Sequence, residues 1–233
     1  MTTALSPPPP PRVTWTFHGT VLVHNYQETL DWLGRFCGCA ALECSTADAP
    51  VYRIGGCCTL GDNLIELMEP YPAGAPTERA LAKYGPSYYN LALQVADLKA
   101  ACDFLNAHGA ETTVPAEAGF TFTRPSHTCG IQLEWADRKN HDWDPRWGAV
   151  PPPGPRPLIE APRMAWWGAM VADPAADAAR LAELMGEPLA FLRPDAPDDE
   201  PVAAISLHDG LFMLYRLPAA PETEQRLWGK ALR

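Results

Sequence analysis

Three side chains in this 233-residue chain combine a metal-binding residue type with a place inside an apolar stretch. His18 lies in VTWTFHGTVLV, Glu66 in NLIELMEP and Glu134 in GIQLEW. An ionised carboxylate on a strand that faces a core is costly unless it is paired or bound to a cation. One imidazole and two carboxylates suit a divalent ion such as Zn²⁺, Mn²⁺, Fe²⁺, Co²⁺ or Ni²⁺. The alternative is an ordinary core histidine and two glutamates that point outward on alternating strands.

The first of these side chains begins a unit of one strand, one helix and a hairpin. Alternation and branched residues predict a strand at 13–23, and helical spacing of apolar residues predicts an amphipathic helix at 27–38. A hairpin follows at 51–60 and 63–70, across the Gly61-Asp62 turn.

The same order of elements then recurs. A strand is predicted at 87–95, a helix at 96–109 that ends at its glycine, and a closing hairpin at 119–125 and 130–137. Each unit is thus a strand, a helix and roughly three strands. The similar spacing of the marker residues indicates a duplicated fold.

A third unit follows a proline-rich linker. It begins with a strand at 164–173 and a helix at 174–186, continues with a hairpin at 201–207 and 210–218, and ends with a polar helix in PETEQRLWGKALR. In this unit Trp166 falls where His18 stands, and Met213 falls where Glu66 stands. Neither residue suits a hard divalent ion, so this unit is interpreted as structural.

The fold class predicted from these patterns is α+β, in which repeated βαβββ modules form a curved mixed sheet, or cup, with a degenerate third module. Four segments are predicted: a disordered proline-rich tail at 1–12, the paired βαβββ domain at 13–138, a proline-rich linker at 139–160, and a partial module with a C-terminal helix at 161–233.

Composition narrows the partners to small molecules. The net charge of −10 and the pI near 5.0 argue against binding to nucleic acid or to an anionic membrane surface. The sequence has no apolar run of membrane-spanning length, and no signal peptide is expected because the N-terminal stretch lacks a basic and an apolar region. Seven cysteines without paired metal spacing are expected to be reduced thiols, which favours a cytoplasmic location. Motifs for nucleotide phosphates and for serine hydrolases are absent.

Four short motifs, taken in order, resemble the vicinal oxygen chelate superfamily. They are H-x-x-V-x-V at the first strand, LGDNLIELMEP at the fourth, NLALQVADLKAA at the fifth and CGIQLEW at the eighth. The superfamily includes glyoxalase I, methylmalonyl-CoA epimerase, extradiol dioxygenases and bleomycin resistance proteins. The resemblance covers residues 15–136 well and 163–217 more weakly.

The resemblance implies a metal site. In the metal enzymes of this superfamily the ligands come from those four strands, which places them at His18, Glu66, Asn90 and Glu134. The fifth-strand ligand is usually histidine, whereas this chain has Asn90 there. An amide oxygen holds a transition metal much more weakly than an imidazole does. The site is therefore either a three-ligand metal site with an open position or a former metal site that is now used for binding.

The function implied by the resemblance is that of a metal-dependent isomerase, epimerase or lyase. It would act on a small oxygenated substrate by chelation and enolate stabilisation, with Glu66 or Glu134 as the general base. One alternative is a ring-cleaving dioxygenase, which needs two histidines and one carboxylate. The other is a metal-free ligand-binding protein of the resistance type.

Two further residues are candidates for substrate contacts. Tyr88 shares the face of Asn90 if the strand alternates regularly, and His127 lies in the loop before the last strand of the second unit. A solvated turn is the alternative for His127, and ordinary packing is the alternative for Tyr88. The sheet edges of an unpaired module also predict a homodimer.

Overall fold

The structure is a computed structural model that describes residues 8–137 and 142–217. Its first unit contains β1 (Val13–Leu22), α1 (Tyr26–Cys37), β2 (Ser45–Ala47), β3 (Arg53–Leu60) and β4 (Asn63–Pro70). Helix α2 (Pro76–Tyr84) leads to the second unit, which contains β5 (Ser87–Val95), α3 (Leu98–Ala107), β6 (Phe120–Thr123) and β7 (Leu133–Ala136). The third unit contains β8 (Trp166–Val171), α4 (Pro174–Met185), β9 (Leu189–Leu192), β10 (Ala203–Leu207) and β11 (Gly210–Arg216).

The first two units share one curled seven-stranded sheet in the order β2-β3-β4-β1-β5-β7-β6. The antiparallel pair β1–β5 joins the units, and each of these two strands also runs parallel to the last strand of its own unit. The third unit forms a separate four-stranded sheet in the order β8-β11-β10-β9. The predicted α+β fold with a curved mixed sheet is confirmed.

The strand register is the same in all three units. The first strand of each unit runs parallel to the last, with the paired positions Thr20–Glu66, Ala92–Glu134 and Gly168–Met213. The position two residues before the first member of each pair is occupied by His18, Asn90 and Trp166, respectively. Asn90 and Trp166 are therefore structural equivalents of His18, as the sequence predicted.

The units differ in their strand number. In the second unit a single bridge between Thr112 and Thr123 stands where a further strand would run, so the shared sheet has seven strands rather than eight. The third unit was predicted to be partial, but β9 gives it the complete βαβββ order. Its degeneracy lies in the side chains at the ligand positions and not in its secondary structure.

Local signals explain where the helices begin and end. Asn25, Asp97 and Asp173 accept hydrogen bonds from the first-turn amides of α1, α3 and α4. Gly38 ends α1 with a φ of 78°, a conformation that glycine adopts without steric cost. No helix among the described residues combines the length and the apolar character needed to span a membrane. The predicted C-terminal helix lies outside the described residues.

The third unit packs against the back of the shared sheet. Gly19 has no side chain there, and a Cβ atom at this position would lie 2.2 Å from the ring of Trp167. One hydrophobic core continues from α3, β5 and β7 into α4 and the strands of the third unit. The third unit therefore supports the sheet from the face opposite to His18, which the alternation of β1 places on the other side of Gly19.

The connector after β7 is fastened to β1 by one arginine. Arg146 donates from Nη1 to the carbonyl of Thr16 and from Nη2 to the carbonyl of Phe17, both at 2.7 Å. Asp144 is fully buried and accepts from the same guanidinium group at 2.8 Å. This stretch falls in the predicted proline-rich linker at 139–160. The structure shows a connector that is clamped to the strand carrying His18 and that places Trp143 on Phe17.

Arg146→Ala is expected to lower the free energy of unfolding by about 3 kcal/mol, because it leaves the buried Asp144 carboxylate without its cation. Urea denaturation followed by circular dichroism measures this change. Arg193→Ala is the matched control, since it removes an exposed pair with Glu200 and should cost about 1 kcal/mol or less. Equal losses in the two variants would contradict the clamp.

Candidate metal centre

The three residues singled out by type converge on one buried site. His18 comes from β1, Glu66 from β4 and Glu134 from β7, and each is less than 9% exposed. One potential ligand atom from each of the three lies within 4.8 Å of the others. All three line a cavity of about 400 Å³ on the inner face of the sheet. The parallel pairings β1–β4 and β5–β7, joined at β1–β5, bring these positions together.

Glu66 is held from both sides. The hydroxyl of Thr20 donates to Oε2 at 2.7 Å, and Arg53 Nε lies 2.8 Å from Oε1 in an ion pair without good hydrogen-bond geometry. The imidazole of His18 is next, with its Nδ1 atom 4.0 Å from Glu66 Oε2 and 3.3 Å from Thr20 Oγ1. Thr20 therefore links the carboxylate to the imidazole.

Arg53 is a site residue that the sequence analysis missed. Its guanidinium group also contacts Glu43 at 3.1 Å and donates to the carbonyls of Ser45 and Gly55. Burial alone would lower the pKa of Arg53, but the carboxylates of Glu66 and Glu43 raise it. The group stays charged and balances Glu66. The available signal was an arginine at the start of the otherwise apolar segment RIGGCC.

Asn90 is bonded to Glu134 through one end of its amide only. Its Nδ2 donates to Glu134 Oε2 at 3.1 Å, while its Oδ1 is buried and has no partner among the described residues. When Glu134 is ionised, as it must be to bind a cation, the opposite amide orientation would place an oxygen against its carboxylate, so the observed orientation is the favourable one in that state. An unpartnered buried acceptor beside the cavity suits a cation or a hydrogen-bond donor on a ligand.

Glu134 holds its proton more tightly than an ordinary carboxyl group does. Burial is the main cause, and repulsion by Glu66 adds to it, so that the pKa of Glu134 is raised to about 8. The hydrogen bond from Asn90 and the charge of Arg53 oppose this rise. In the absence of a metal ion, a proton on Glu134 and the charge of Arg53 together balance the two buried carboxylates.

The donor set fits a divalent cation. It offers one imidazole, two carboxylates and the unpartnered amide oxygen of Asn90, which are ligand types that Zn²⁺, Mn²⁺, Fe²⁺, Co²⁺ and Ni²⁺ accept. Because Glu134 would have to lose its proton, binding of the ion should release a proton and strengthen as the pH rises.

In metal-free protein, this raised pKa should make stability depend on pH. Between pH 4.5 and about 8 folded Glu134 keeps a proton that the unfolded chain loses, so the free energy of unfolding falls as the pH rises. Glu134→Gln has no proton to lose at this position. The difference in free energy of unfolding between Glu134→Gln and wild type should therefore grow in favour of the variant, by roughly 1 kcal/mol per pH unit between pH 4.5 and about 8. Urea denaturation at pH 5 and pH 8 with a chelator tests this, beside surface Glu111→Gln. Wild-type and Glu134→Gln curves that stay parallel would refute it.

The rest of the cavity wall is mainly apolar with a polar side. The aromatic rings of Phe17, Phe120, Phe122 and Trp143 form much of it. Tyr89, Gln132 and Arg124 also line it and offer groups that can bind the polar end of a ligand. Arg124 is partly neutralised by an exposed ion pair with Glu111 at 2.9 Å.

The two predicted substrate contacts lie outside the lining of this cavity. Tyr88 is 54% exposed and meets Trp167 edge-on, because the pairing of β1 and β5 slips and leaves Tyr89 as the extra residue of a bulge. Tyr89 lines the cavity in its place, and a substrate contact of Tyr88 stays a prediction. His127 accepts a hydrogen bond from the amide of Glu111 at 3.2 Å, and no atom of it lines the cavity.

Comparison with known proteins gives a match in structure only. No family model and no curated protein matches the chain. A solved methylmalonyl-CoA epimerase in complex with methylmalonyl-CoA and NH4+ is 16% identical, with a TM-score of 0.51 over 55% of this chain and 96% of the other. A variant of the Streptomyces coelicolor epimerase in complex with 2-nitronate-propionyl-CoA gives 16% identity and a TM-score of 0.50 over 55% and 96% of the two chains.

These likenesses support the fold inferred from the four sequence motifs. Identities of 16% do not carry activity or substrate from one chain to another. The chain therefore shares the fold of these epimerase structures over about half of its length.

Proposed function

We propose that this protein is a divalent-metal-dependent enzyme that moves a proton next to a carbonyl group, as an isomerase, epimerase or lyase. Its substrate would be a small oxygenated acid, ketone or thioester. The observation that carries the proposal is the convergence of His18, Glu66 and Glu134 on one buried cavity. Three potential ligand residues on three strands of one sheet are costly to bury unless they are paired or bound to a cation.

Each residue of the site has a distinct role in this proposal. His18, Glu66 and Glu134 hold the ion, and Asn90 offers its free oxygen as a weak fourth ligand or as an acceptor for a substrate hydroxyl. The bound ion would supply Lewis acidity that stabilises negative charge on a substrate oxygen. Arg53 keeps Glu66 in place through the ion pair at 2.8 Å.

Glu134 is the better candidate for the general base. Both oxygens of Glu66 are engaged, by Arg53 and by Thr20. Glu134 has one oxygen bonded to Asn90, and in the metal-free protein burial keeps its proton affinity high. A carboxylate with high proton affinity in an apolar cavity removes a proton from carbon more readily than one that is fully hydrogen-bonded.

The cavity limits the substrate to a small acyl or keto group. A volume of about 400 Å³ holds a short chain, and the surrounding aromatic rings exclude water from the reacting carbon. The epimerases of the same fold are solved with methylmalonyl-CoA and a propionyl-CoA derivative, so an acyl thioester is the first substrate class to test.

A metal-free ligand-binding protein is the second candidate. The Arg53–Glu66 pair and the Asn90–Glu134 bond already satisfy much of the buried charge without a metal ion. A ring-cleaving dioxygenase has less support, because only one of the four equivalent ligand positions is a histidine.

Metal content after reconstitution separates these functions. Untagged protein is stripped with a chelator, exposed to each candidate ion, desalted and measured by mass spectrometry for bound metal. We expect near-stoichiometric binding of at least one ion, and a loss of about tenfold or more in His18→Ala and in Glu134→Gln. His127→Ala is the matched control, because this histidine lies outside the cavity.

Exchange of the substrate proton tests the proposed reaction separately from metal binding. Methylmalonyl-CoA in deuterated buffer should exchange its proton next to the carbonyl, as seen by nuclear magnetic resonance, with metal-loaded wild type and not with Glu134→Gln. Failure of every ion to bind would refute the metal enzyme. Tryptophan quenching by an acyl thioester that survives the chelator and His18→Ala would then support the binding protein.

A further inference from the structure

A cluster of three thiols lies at the end of α1, on the face of the sheet away from the metal-binding residues. Cys37 is the last residue of α1, Cys39 follows Gly38, and Cys58 comes from β3. All seven cysteines of the chain are free thiols. Cys37 Sγ lies 3.6 Å from Cys39 Sγ, close enough for a disulfide after small side-chain rotations.

Cys39 shares a hydrogen-bond contact with Cys37, in which either thiol can donate, and Cys58 also lies beside it. The thiols of Cys58 and Cys37 favour its anionic form, and although burial opposes them, the pKa of Cys39 falls to about 7. Burial raises the pKa of Cys37, so this thiol keeps its proton near neutral pH. The thiolate is the form that attacks oxidants, and the cluster therefore distinguishes an attacking thiol from a resolving one.

Cys39 is also reachable by a small oxidant. Its backbone and side chain are mostly covered, but it lines a groove of about 600 Å³ between α1 and the proline-rich segment Pro152–Pro155. The same segment continues to Leu158 and Ile159, whose amides donate to the carbonyls of Arg35 and Phe36 near the end of α1. The groove is therefore formed where the connector docks on the helix.

We propose that Cys37 and Cys39 form a peroxide-oxidisable dithiol, in which Cys39 reacts first and Cys37 closes the disulfide. The Cys39 thiolate attacks one oxygen of hydrogen peroxide, an S–O bond forms, the O–O bond breaks, and the hydroxide released takes up the proton that the Cys39 thiol lost when it ionised. Cys37 sulfur then displaces the hydroxyl group from Cys39 as water, to which the Cys37 proton is transferred. Two thiols and one hydrogen peroxide thus give one disulfide and two waters.

Cys58 is the competing partner, and its position argues against it. Its residue is fully buried, and its thiol already donates to the carbonyl of Ile65 at 3.4 Å within the β3–β4 hairpin. Cys37 is partly exposed at the helix end, where one glycine separates it from Cys39. The shorter chain connection and the partial exposure of Cys37 favour Cys37 as the partner.

Mild peroxide treatment of the full chain tests the proposal, with intact-mass measurement and fragmentation of the peptide that contains residues 36–53. We expect the loss of two hydrogen atoms, a Cys37–Cys39 bond, and two fewer than the seven thiols in a denatured thiol assay. Dithiothreitol should reverse all three changes. Treated Cys37→Ser should instead carry a sulfenic acid on Cys39 that dimedone traps.

The control variants decide the assignment. Cys129→Ser and Cys44→Ser, which lie outside the three-thiol cluster, should still form the bond, and Cys39→Ser should not. A Cys39–Cys58 disulfide, or modification of Cys44 alone, would overturn the proposal. Circular dichroism of Cys39→Ser confirms that a negative result does not come from loss of the fold.

Discussion

Asn90→Ala removes one weak candidate ligand, but Asn90→His is expected to tighten the binding of Zn²⁺ or Co²⁺ by on the order of 10- to 100-fold. The register of β5 with β7 places residue 90 where His18 stands relative to Glu66. A second imidazole would therefore enter the site from the equivalent position of the second unit. The cavity beside Asn90 has room for the larger ring.

Titration of metal-free protein with a competing chromophoric chelator measures this change. The matched control is Trp166→His, which places an imidazole at the equivalent position of the third unit, where no carboxylate faces it. Unchanged affinity in Asn90→His would show that residue 90 does not reach the ion. It would also show that His18, Glu66 and Glu134 bind the ion without a ligand from β5.

Arg53→Met is expected to destabilise the metal-free protein by about 3 to 5 kcal/mol, because it leaves Glu66 buried and without its cation. The loss should be much smaller in Arg53→Met/Glu66→Gln, which removes the charge as well. Urea denaturation in the presence of a chelator measures both values. A double variant as unstable as the single one would mean that Arg53 acts through packing and not through charge.

Divalent metal should rescue this variant. Once Arg53 is gone, a bound cation is the main source of positive charge beside Glu66, so the same ion should raise the melting temperature of Arg53→Met more than that of wild type. Lys83→Met, on the exposed surface of α2, is the control for the loss of one positive charge. An equal shift in all three proteins would contradict competition between the arginine and the metal.

Sequence patterns were sufficient for the strands that carry the site. Alternation, helix caps and glycine turns predicted the paired units, and the apolar surroundings of His18, Glu66 and Glu134 singled out the residues that the sheet brings together. Local patterns suffice here because each residue faces the cup through the regular geometry of its own strand.

Features that depend on contacts between distant segments were not predictable in this way. Arg53 is a site residue because β3 lies beside β4, and although the apolar residues that follow it indicate burial, they do not indicate its ion pair with Glu66. Tyr89 lines the cavity in place of Tyr88 because a bulge in β5 shifts the alternation of side chains by one residue. The clamp of Arg146 on β1 joins residues that are far apart in sequence.

The common register of the three units has an evolutionary consequence. Because the ligand positions are fixed by strand pairing, a metal site can be gained or lost by substitutions at two positions without any change in the backbone. The first unit retains an imidazole and a carboxylate, the second a carboxylate and an amide, and the third a tryptophan and a methionine. The three units thus carry three different residue pairs at one backbone register, and the third unit is a scaffold on which Trp166→His and Met213→Glu would place an imidazole and a carboxylate at these positions.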